Sequence, residues 1–356
     1  MSTLVAIGTK KGLWFARSED RQNFTLSGPH FFMEEVPSIS IDTRGETPHL
    51  MAGVRSEHFG PTVYHSWDLG ETWSEPETAA IAFPKDADTA VERIWQIQPG
   101  DPAHPDEVWA GVEPTSLWKS TDGGQTFRLN QALWDHPHRQ DWFPGAGGAA
   151  VHSIVPDGEV LTVAMSTGGV YRSEDAGDTW NPRNKGISAY FLPDPLPEYG
   201  QCVHKIAADP ANPHRFYAQN HRGVYRTDNA GETWESIEEG LPANFGFNMI
   251  QHPSKPGTIW VIPLVSDGER IPVDGKLAVH RSQDGGDTWE RFSAGLPDFE
   301  QNVVLRDAAT VDDGAPAGIY LGTRGGAVYA SADNGETYRL IADHLADVLC
   351  IRAATI

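Results

Sequence analysis

A short motif, Ser-x-Asp-x-Gly-x-Thr-aromatic, recurs through the chain at a nearly constant spacing. The copies are SWDLGETW (66–73), STDGGQTF (120–127), SEDAGDTW (173–180), TDNAGETW (227–234), SQDGGDTW (282–289) and SADNGETY (331–338), and a degenerate copy, SEDRQNF, begins at Ser18. Successive copies begin 48 to 55 residues apart. Self-similarity at a fixed period of this length indicates a repeat architecture, in which each unit buries its apolar face against its neighbours.

Short alternating segments precede each copy of the motif. Examples are VWAGVE and SLWKS before the second full copy, and LTVAMS and GVYRS before the third. Alternating apolar and polar residues between turn signals indicate β-strands, and almost no helical periodicity is present. Four strands in a repeat of this length are typical of a β-propeller blade.

The motif resembles the BNR, or Asp-box, repeat of sialidases, sortilin-type receptors and photosystem-assembly propellers. The resemblance covers nearly the whole chain, and proteins that carry it are often called glycosyl hydrolases or exo-sialidases. It implies a propeller fold. It points to an activity only weakly, because proteins of very different function share it.

The order of the segments predicts how the ring closes. Seven innermost strands are expected at 36–41, 93–98, 151–155, 202–207, 247–251, 304–309 and 348–354. The last has no strands after it, whereas the chain starts on a second strand, LVAIGT. We therefore predict an all-β, seven-bladed propeller with Asp-box turns, formed as a single domain over 1–356 with one blade closed by both termini. The predicted blades are 36–80, 92–130, 150–185, 201–240, 246–293, 303–341 and 346–356 with 1–28.

The motif aspartates are predicted to be structural. Their side chains, with those of the motif serines, are suited to hydrogen bonding within a turn. A catalytic group is needed once, whereas these residues occur in every blade. In one copy Asn229 replaces the aspartate, and asparagine supplies hydrogen bonds but no carboxylate.

Composition excludes several partner classes. The formal net charge of −22 argues against nucleic acids and anionic membranes as partners. Two cysteines, Cys202 and Cys350, form no disulfide framework, and the N-terminal apolar run is too short for a signal peptide. We expect a cytoplasmic protein; the oligomeric state stays open, and a monomer is compatible with the sequence.

Candidate functional residues lie where the repeat departs from its own pattern. Aligning the innermost strands places Pro37, Trp95, His152, His204, Asn248, Arg306 and Cys350 at one level of the ring. The ends of the second strands add Lys10, Arg55, Glu113, Ser166, Asn220 with His221, Pro263 and Arg324. Two arcs result. One arc is basic and is predicted to bind the substrate through Arg306, Arg324, Lys10 and Arg55. Trp95, Asn220 and Asn248 are predicted to bind the substrate as well. The other arc, with Glu113, His152, His204 and His221, is predicted to be catalytic.

Three long connections between strands are expected on the face of the ring that carries these candidate residues. They are 130–149, 186–201 and 263–276. Long loops on a rigid scaffold commonly carry function.

These features favour a hydrolase of the sialidase-like, glycoside-hydrolase propeller type, acting on a small anionic or sugar-like substrate in the central funnel. Arginines would bind a carboxylate, and Glu113 with a histidine would exchange protons. True sialidase activity is not expected, because the Arg-Ile-Pro tripeptide typical of sialidases occurs only inside a loop, at 270–272, and no Tyr–Glu pair is evident.

Two alternatives stay open. One is a hydrolase or lyase that uses a divalent metal ion held by His152, His204, Glu113 and Cys202, since imidazole, carboxylate and thiolate groups bind transition metals. The other is a non-catalytic propeller that binds a ligand or another protein. The glycoside-hydrolase hypothesis itself requires no cofactor.

Overall fold

The structure is a computed structural model that describes residues 2–85, 87–145 and 147–356. The domain predicted over 1–356 also includes Met1, Asp86 and Ala146, which lie outside the described residues. The regular secondary structure of the described chain is almost entirely β-strand, with one short helix, α1 (Gln131–Trp134), and two 3-10 turns, Pro137–Asp141 and Val273–Gly275. None of these helical segments is long and apolar enough to cross a membrane.

The strands follow one another in short antiparallel runs. In chain order they are β1 (Thr3–Thr9), β2 (Gly12–Ser18), β3 (Thr25–His30), β4 (Glu35–Asp42), β5 (His49–Ser56), β6 (Gly60–Ser66), β7 (Arg93–Pro99), β8 (Val108–Glu113), β9 (Ser116–Ser120), β10 (Arg128–Leu129), β11 (Val151–Asp157), β12 (Val160–Met165), β13 (Gly169–Ser173), β14 (Asn181–Pro182), β15 (Val203–Asp209), β16 (Asn212–Asn220), β17 (Val224–Thr227), β18 (Glu235–Ser236), β19 (Ile250–Gln251), β20 (Ile259–Val261), β21 (Val279–Ser282), β22 (Glu290–Phe292), β23 (Val304–Val311), β24 (Ile319–Thr323), β25 (Val328–Ser331), β26 (Arg339–Ala342) and β27 (Val348–Thr355).

Sequential strands form the sheets. Four sheets are four-stranded meanders, β7–β10, β11–β14, β15–β18 and β19–β22, and β4–β6 form a three-stranded sheet. The eight-stranded sheet joins the meander β23–β26 to the run β27-β1-β2-β3 through a parallel bridge between Asp307 and Cys350. In that run β1 pairs antiparallel with β27, from Thr3 opposite Thr355 to Thr9 opposite Val348, so one meander contains both ends of the described chain.

The first strand of each meander faces the centre. These strands contact one another in a closed ring, in the order β4, β7, β11, β15, β19, β23, β27 and back to β4. Meanders that radiate from such a ring form a β-propeller, so the predicted all-β propeller architecture is confirmed. One inner strand is shorter than predicted: β19 begins at Ile250. The segment before it is attached to β23 by the side-chain amide of Asn248, which donates to the carbonyl groups of Leu305 and Arg306.

The recurring motif forms the turn after the third strand of each meander. In the second full copy, Ser120 Oγ donates to Asp122 Oδ1 at 2.7 Å, and the Gly124 N–H donates to Ser120 Oγ at 2.9 Å. The backbone N–H and the hydroxyl of Thr126 donate to the two Asp122 oxygens at 2.9 and 2.6 Å. Asn229 likewise accepts from the Thr227 hydroxyl and the Thr233 N–H, but its amide Nδ2 donates to the Thr233 hydroxyl. The side chains are thus used within the turn itself.

The aromatic residue that ends the motif joins neighbouring meanders. Trp234 Nε1 donates to the Arg183 carbonyl at 2.8 Å, and Trp289 Nε1 donates to the Ile237 carbonyl at 2.8 Å, in each case to the preceding repeat. The motif glycine permits this approach. Gly286 has φ of +99°, and a Cβ there would lie 2.4 Å from Ile237 Cδ1. The apolar core accordingly lies between consecutive sheets, and burial of one large side chain contributes about 1.5–3 kcal/mol.

Candidate functional site

A cavity of about 420 Å³ lies at one end of the central channel, and we call it the funnel. Its wall is built from the beginnings of inner strands, including Glu35, Arg93 and Arg306, and from the 263–276 connection, which contributes Asp267 and Arg270. None of the motif turns lines it. The funnel therefore lies on the face of the ring where the sequence predicts the candidate binding residues.

β-Bulges occur in three inner strands near the funnel, and two of the bulged residues, Trp95 and His204, line it. Strand pairing skips a residue between Ile94 and Gln96, between Val151 and Ser153, and between Val203 and Lys205. The skipped residues are Trp95, His152 and His204, three of the positions that the alignment placed at one level. A bulge leaves its extra residue unpaired and redirects its side chain, which is why functional residues favour such positions.

The bulge in the last inner strand corrects the alignment by one residue. The pairing passes from Cys350 opposite Gly8 to Val348 opposite Thr9, so Leu349 is the skipped residue and lines the funnel. Cys350 is fully buried in the core behind it, and its Sγ lies 3.5 Å from the Val36 carbonyl oxygen.

The floor of the funnel is a buried ionic cluster centred on Asp307. Its carboxylate accepts hydrogen bonds from Lys205 Nζ at 2.8 Å, Arg352 Nη2 at 2.8 Å and Gln96 Nε2 at 2.6 Å. Burial opposes ionisation of Asp307, but the two neighbouring cations outweigh it and hold the pKa of this carboxyl well below its usual range. Asp307 also borders the cavity on the opposite side of the ring, so the cluster separates the two ends of the channel.

Arg306 is the cation that faces the open side of this floor. Among the described residues it has no carboxylate within salt-bridge distance, and its Nε has no hydrogen-bond partner. The guanidinium lies between two aromatic faces, 5.6 Å from the centre of Trp95 and 5.3 Å from that of Phe247. Burial lowers the pKa of Arg306, although arginine stays protonated in proteins. A partly buried guanidinium beside aromatic rings, with no carboxylate partner in the described part of the chain, is suited to bind an anion.

One wall of the funnel carries a cysteine–histidine group, defined here as the Cys202–His204–His221 cluster. One ligand atom from each side chain lies within 4.8 Å of the others, and His204 Nε2 is 3.2 Å from His221 Nδ1. Among residues 2–85, 87–145 and 147–356 this is the one group of three such side chains. The outer nitrogens are also engaged: His204 Nδ1 lies 2.6 Å from the Gly246 carbonyl oxygen, and His221 Nε2 lies 3.1 Å from Asp267 Oδ2.

The cluster shifts the ionisation of its members. Burial opposes ionisation of Cys202, but the hydrogen bond with His221 and the charge of Arg306 bring the pKa of the thiol below its usual value. Burial disfavours the charged form of His221, yet its hydrogen bonds with Cys202 and Asp267 raise its pKa. Burial, followed by the charge of Arg306, keeps the pKa of His204 well below the usual value.

Two residues of the predicted catalytic arc lie outside this cluster. Glu113 lies behind the wall, where it accepts hydrogen bonds from Arg93 Nη1 at 3.0 Å and Trp95 Nε1 at 2.9 Å, and so orients two residues that do line the funnel. His152 is fully buried, and neither ring nitrogen has a hydrogen-bond partner within the described part of the chain. Burial and the charge of Arg306 lower its pKa well below the usual value.

The four residues of the predicted basic arc lie in three different places: in the funnel, at its rim and outside it. Arg306 lines the funnel, as described. Arg324 and Lys10 lie at the rim, where Asp347 binds both, at 2.7 Å and 3.7 Å. Arg55 is outside the funnel and donates to the Glu92 carbonyl at 3.0 Å.

The remaining predicted binding residues differ in role. Trp95 lines the funnel. Asn220 is buried and donates to the carbonyl groups of Ser188 and Arg222, while Asn248 ties its segment to β23. Both asparagines therefore hold backbone segments in place.

Several funnel residues were not identified from the sequence. Glu35, Arg93 and Phe247 come one or two positions before an aligned residue, and Asp267 and Arg270 lie in the 263–276 connection. Side chains two apart share one side of a strand. This periodicity points to Glu35, two residues before Pro37, and to Arg93, two residues before Trp95.

Comparison with known proteins identifies relatives of the same architecture. No family model matches the chain. The xyloglucanase Xgh74A of Acetivibrio thermocellus is 30% identical over 257 residues, which cover 60% of this chain and 28% of the relative. A xyloglucanase of a Paenibacillus species is 23% identical over 323 residues, which cover 87% of this chain and 27% of the relative. The chain spans between a fifth and a third of the length of the curated relatives it matches.

Solved structures give the same fold. A GH74 enzyme of Niastella koreensis superposes with a TM-score of 0.60 at 14% identity, covering 96% of this chain and 55% of that one. YCF48 in a complex with a D1 peptide superposes with a TM-score of 0.54 at 19% identity, covering 86% of this chain and 81% of that one. At these identities the likeness shows a propeller fold, shared by glycosidases and by a peptide-bound protein.

Proposed function

We propose that this protein is a hydrolase of the glycoside-hydrolase propeller type that binds a small, anionic, sugar-like substrate in the funnel. The observation that carries the proposal is Arg306, a partly buried guanidinium without a carboxylate partner among the described residues, which faces the funnel between Trp95 and Phe247. The relationship to xyloglucanases at 23–30% identity supports a carbohydrate substrate. The basic lining of the funnel, in a chain with a formal net charge of −22, favours a negatively charged one.

The roles follow from the geometry. Arg306 would bind the substrate's carboxylate in a bidentate manner, and the faces of Trp95 and Phe247 would pack on the apolar side of a sugar ring. Glycoside hydrolysis commonly uses two carboxyl groups. Of the carboxylates on the funnel wall, Asp307 is engaged by two cations, Lys205 and Arg352. In the described part of the chain, Glu35 forms an ion pair with Arg93 alone at 2.6 Å, and Asp267 pairs with His221 alone at 3.1 Å, so these two are the candidates.

The proposed architecture of the ring is seven-bladed. Seven inner strands contact one another in a closed ring, and each begins a meander. The shared hydrogen bonds of Ser120 with Asp122 and of Thr227 with Asn229 support an Asp-box assignment for the turns.

Isothermal titration calorimetry and product analysis test the proposed function. Oligosaccharides that end in a uronic acid should bind and be cleaved, whereas neutral xyloglucan oligosaccharides should bind more weakly. R306Q should weaken binding of the uronate by about 10- to 100-fold, since a hydrogen bond to a charged group contributes about 1.5–3 kcal/mol. R55Q, which alters an arginine outside the funnel, is the matched control and should bind as the wild type does. Equal affinity of R306Q and R55Q for the uronate would refute the proposal.

A non-catalytic binding propeller is the second candidate. It is favoured by the match to YCF48 over 81% of that protein's length, in a structure with a bound peptide. Arg306 would then bind a carboxylate of a peptide. Product analysis separates the two: binding without any cleaved product, with E35Q and D267N binding as well as the wild type, would favour this alternative.

A further inference from the structure

We propose that Cys202, His204 and His221 bind a transition-metal ion, with Zn²⁺ as the expected occupant and the fourth coordination position open to the funnel. This site goes beyond the proposed function, which neither requires a metal nor assigns one. It also replaces the metal ligands expected from the sequence, because His152 and Glu113 lie outside the cluster.

The geometry of the donor atoms fits a tetrahedral ion. Zinc–nitrogen bonds of about 2.0–2.1 Å at the tetrahedral angle place two imidazole nitrogens about 3.3–3.4 Å apart. His204 Nε2 and His221 Nδ1 are 3.2 Å apart, and Cys202 provides a third donor within 4.8 Å of both. All three side chains line the funnel, so a substrate or water molecule can reach the remaining position.

Hydrogen bonding determines which nitrogens carry lone pairs. A carbonyl oxygen only accepts, so His204 Nδ1 must be the protonated nitrogen that faces Gly246. An ionised carboxylate likewise only accepts, so His221 Nε2 carries the hydrogen that faces Asp267. In the neutral rings the lone pairs of His204 Nε2 and His221 Nδ1 therefore point at each other across 3.2 Å. Two neutral rings in these tautomers cannot hydrogen-bond to each other, so either a second proton on one ring or a metal ion must join the two nitrogens, and the third donor, Cys202, favours the metal ion.

The outer contacts are those of metal-binding histidines. Such histidines usually donate their other N–H to a carboxylate or a backbone carbonyl, which fixes the tautomer and the ring orientation. Here Asp267 and the Gly246 carbonyl provide one partner of each kind. Phe247, stacked on His204 with ring centres 4.8 Å apart, restricts that ring further.

The donor set selects the metal. One thiolate and two imidazoles suit zinc and other borderline or soft ions, whereas calcium and magnesium require oxygen ligands. Three protein ligands with an open fourth position are the arrangement of catalytic rather than structural zinc sites.

Cobalt(II) titration of the chelator-treated protein tests the site. One equivalent of Co²⁺ should bind to the wild type with a thiolate-to-cobalt absorption band. The chain has two cysteines, so C202A and C350A form a matched pair. C202A should lose the band and C350A should retain it, while D267N should weaken Co²⁺ binding by about 10- to 100-fold, as expected for an outer hydrogen-bond partner. Absence of the band in the wild type, or its loss in C350A with retention in C202A, would overturn the proposal.

A second measurement needs no variant and so does not depend on the folding of one. Cys202 of the wild type should react with iodoacetamide after chelation and should be protected by stoichiometric Zn²⁺, as followed by peptide mass spectrometry. Equal modification of Cys202 with and without Zn²⁺ would show that a shared proton, rather than a metal, lies between the two histidines. Both measurements are independent of carbohydrate binding, so their failure leaves the proposed substrate untouched.

Discussion

Arg306 and Asp307 are neighbours in the chain with opposite environments. Arg306 lies in the irregular part of β23 and faces the funnel between two aromatic rings. Asp307 lies on the other side of the strand, where Lys205 and Arg352 neutralise it. Two consecutive residues thus place the Arg306 guanidinium, which has no carboxylate partner among the described residues, above the Asp307 carboxylate, which has two cationic partners. The separation matters because two such groups in contact would cancel each other's charge.

The Asp307 cluster should be a major determinant of stability. D307N leaves Lys205 and Arg352 buried without a counter-ion, and removing one partner of a buried ion pair costs about 3–5 kcal/mol. We expect a loss of this size in the free energy of unfolding, measured by urea denaturation at neutral pH. D347N is the control: its partner Arg324 has a side chain that is 42% exposed, and surface pairs contribute about 0–1 kcal/mol. A D307N loss no larger than that of D347N would contradict the role assigned to the cluster.

The depressed pKa of Asp307 also predicts how the stability of the protein changes with pH. The folded pKa of Asp307 is depressed, so its contribution is fully present above the unfolded pKa of about 3.9 and is lost as the pH falls below that value. The wild type should therefore lose more stability than D307N between about pH 4 and pH 2. Denaturation curves of both proteins across this range measure the difference.

At the scale of the element, the inner strands position the candidate functional side chains, and the motif turns stabilise the sheets. The bulges of β7, β11 and β15 direct Trp95, His152 and His204 inward. The motif turns use their polar side chains to satisfy their own backbone, and none of them reaches the funnel. The feature most prominent in the sequence therefore holds the blades together, and the less regular inner strands supply the candidate chemistry.

Substitution of a motif aspartate should separate these roles. D122A removes the acceptor for Ser120 and Thr126 and should cost about 1–3 kcal/mol. D122N should keep most of the stability, because Asn229 occupies the same place, accepts two of these bonds and forms the third by donating to the Thr233 hydroxyl. Thermal unfolding of the two variants makes the comparison. Loss of ligand binding in a folded D122N protein would show that this carboxylate has a functional role.

At the scale of the whole molecule, closure of the ring depends on the two ends of the chain. The Ser2 N–H donates to the Ile356 carbonyl at 3.0 Å, and the Ile356 N–H donates to the Ser2 carbonyl at 2.8 Å. Pairing of β1 with β27 continues inward from there. This arrangement removes two sheet edges, which would otherwise be available for aggregation.

Removal of residues 348–356 should therefore destabilise the entire ring. The deletion exposes the edge of β1 and the apolar residues Leu4 and Ala6, both fully buried in the intact protein. We expect aggregation and the loss of a single cooperative unfolding transition, followed by light scattering and calorimetry. A circular permutant is the control: a short Gly/Ser linker joins Ile356 to Ser2, and new ends lie between the exposed Ser254 and Lys255. A soluble, cooperatively unfolding truncation would contradict the role of β27.

Much of the fold and part of the site could be predicted from the sequence. Repeat spacing and strand periodicity are local properties, and they identified the propeller and nearly all of its inner strands. His204, His221, Cys202, Arg306 and Trp95 were also found, because a residue that breaks a repeat stands out in an alignment.

What only the tertiary structure decided is which side chains meet. A bulge shifts a strand by one residue, and this shift placed Leu349 rather than Cys350 at the funnel. The 263–276 connection brought Asp267 to His221, 46 positions away in the preceding meander. The register of β7 and β8 placed Glu113 opposite Arg93, where its carboxylate lies behind the funnel wall. The first contact depends on how neighbouring meanders pack around the axis and the second on strand register beside a bulge, and the period of a repeat contains no information about either.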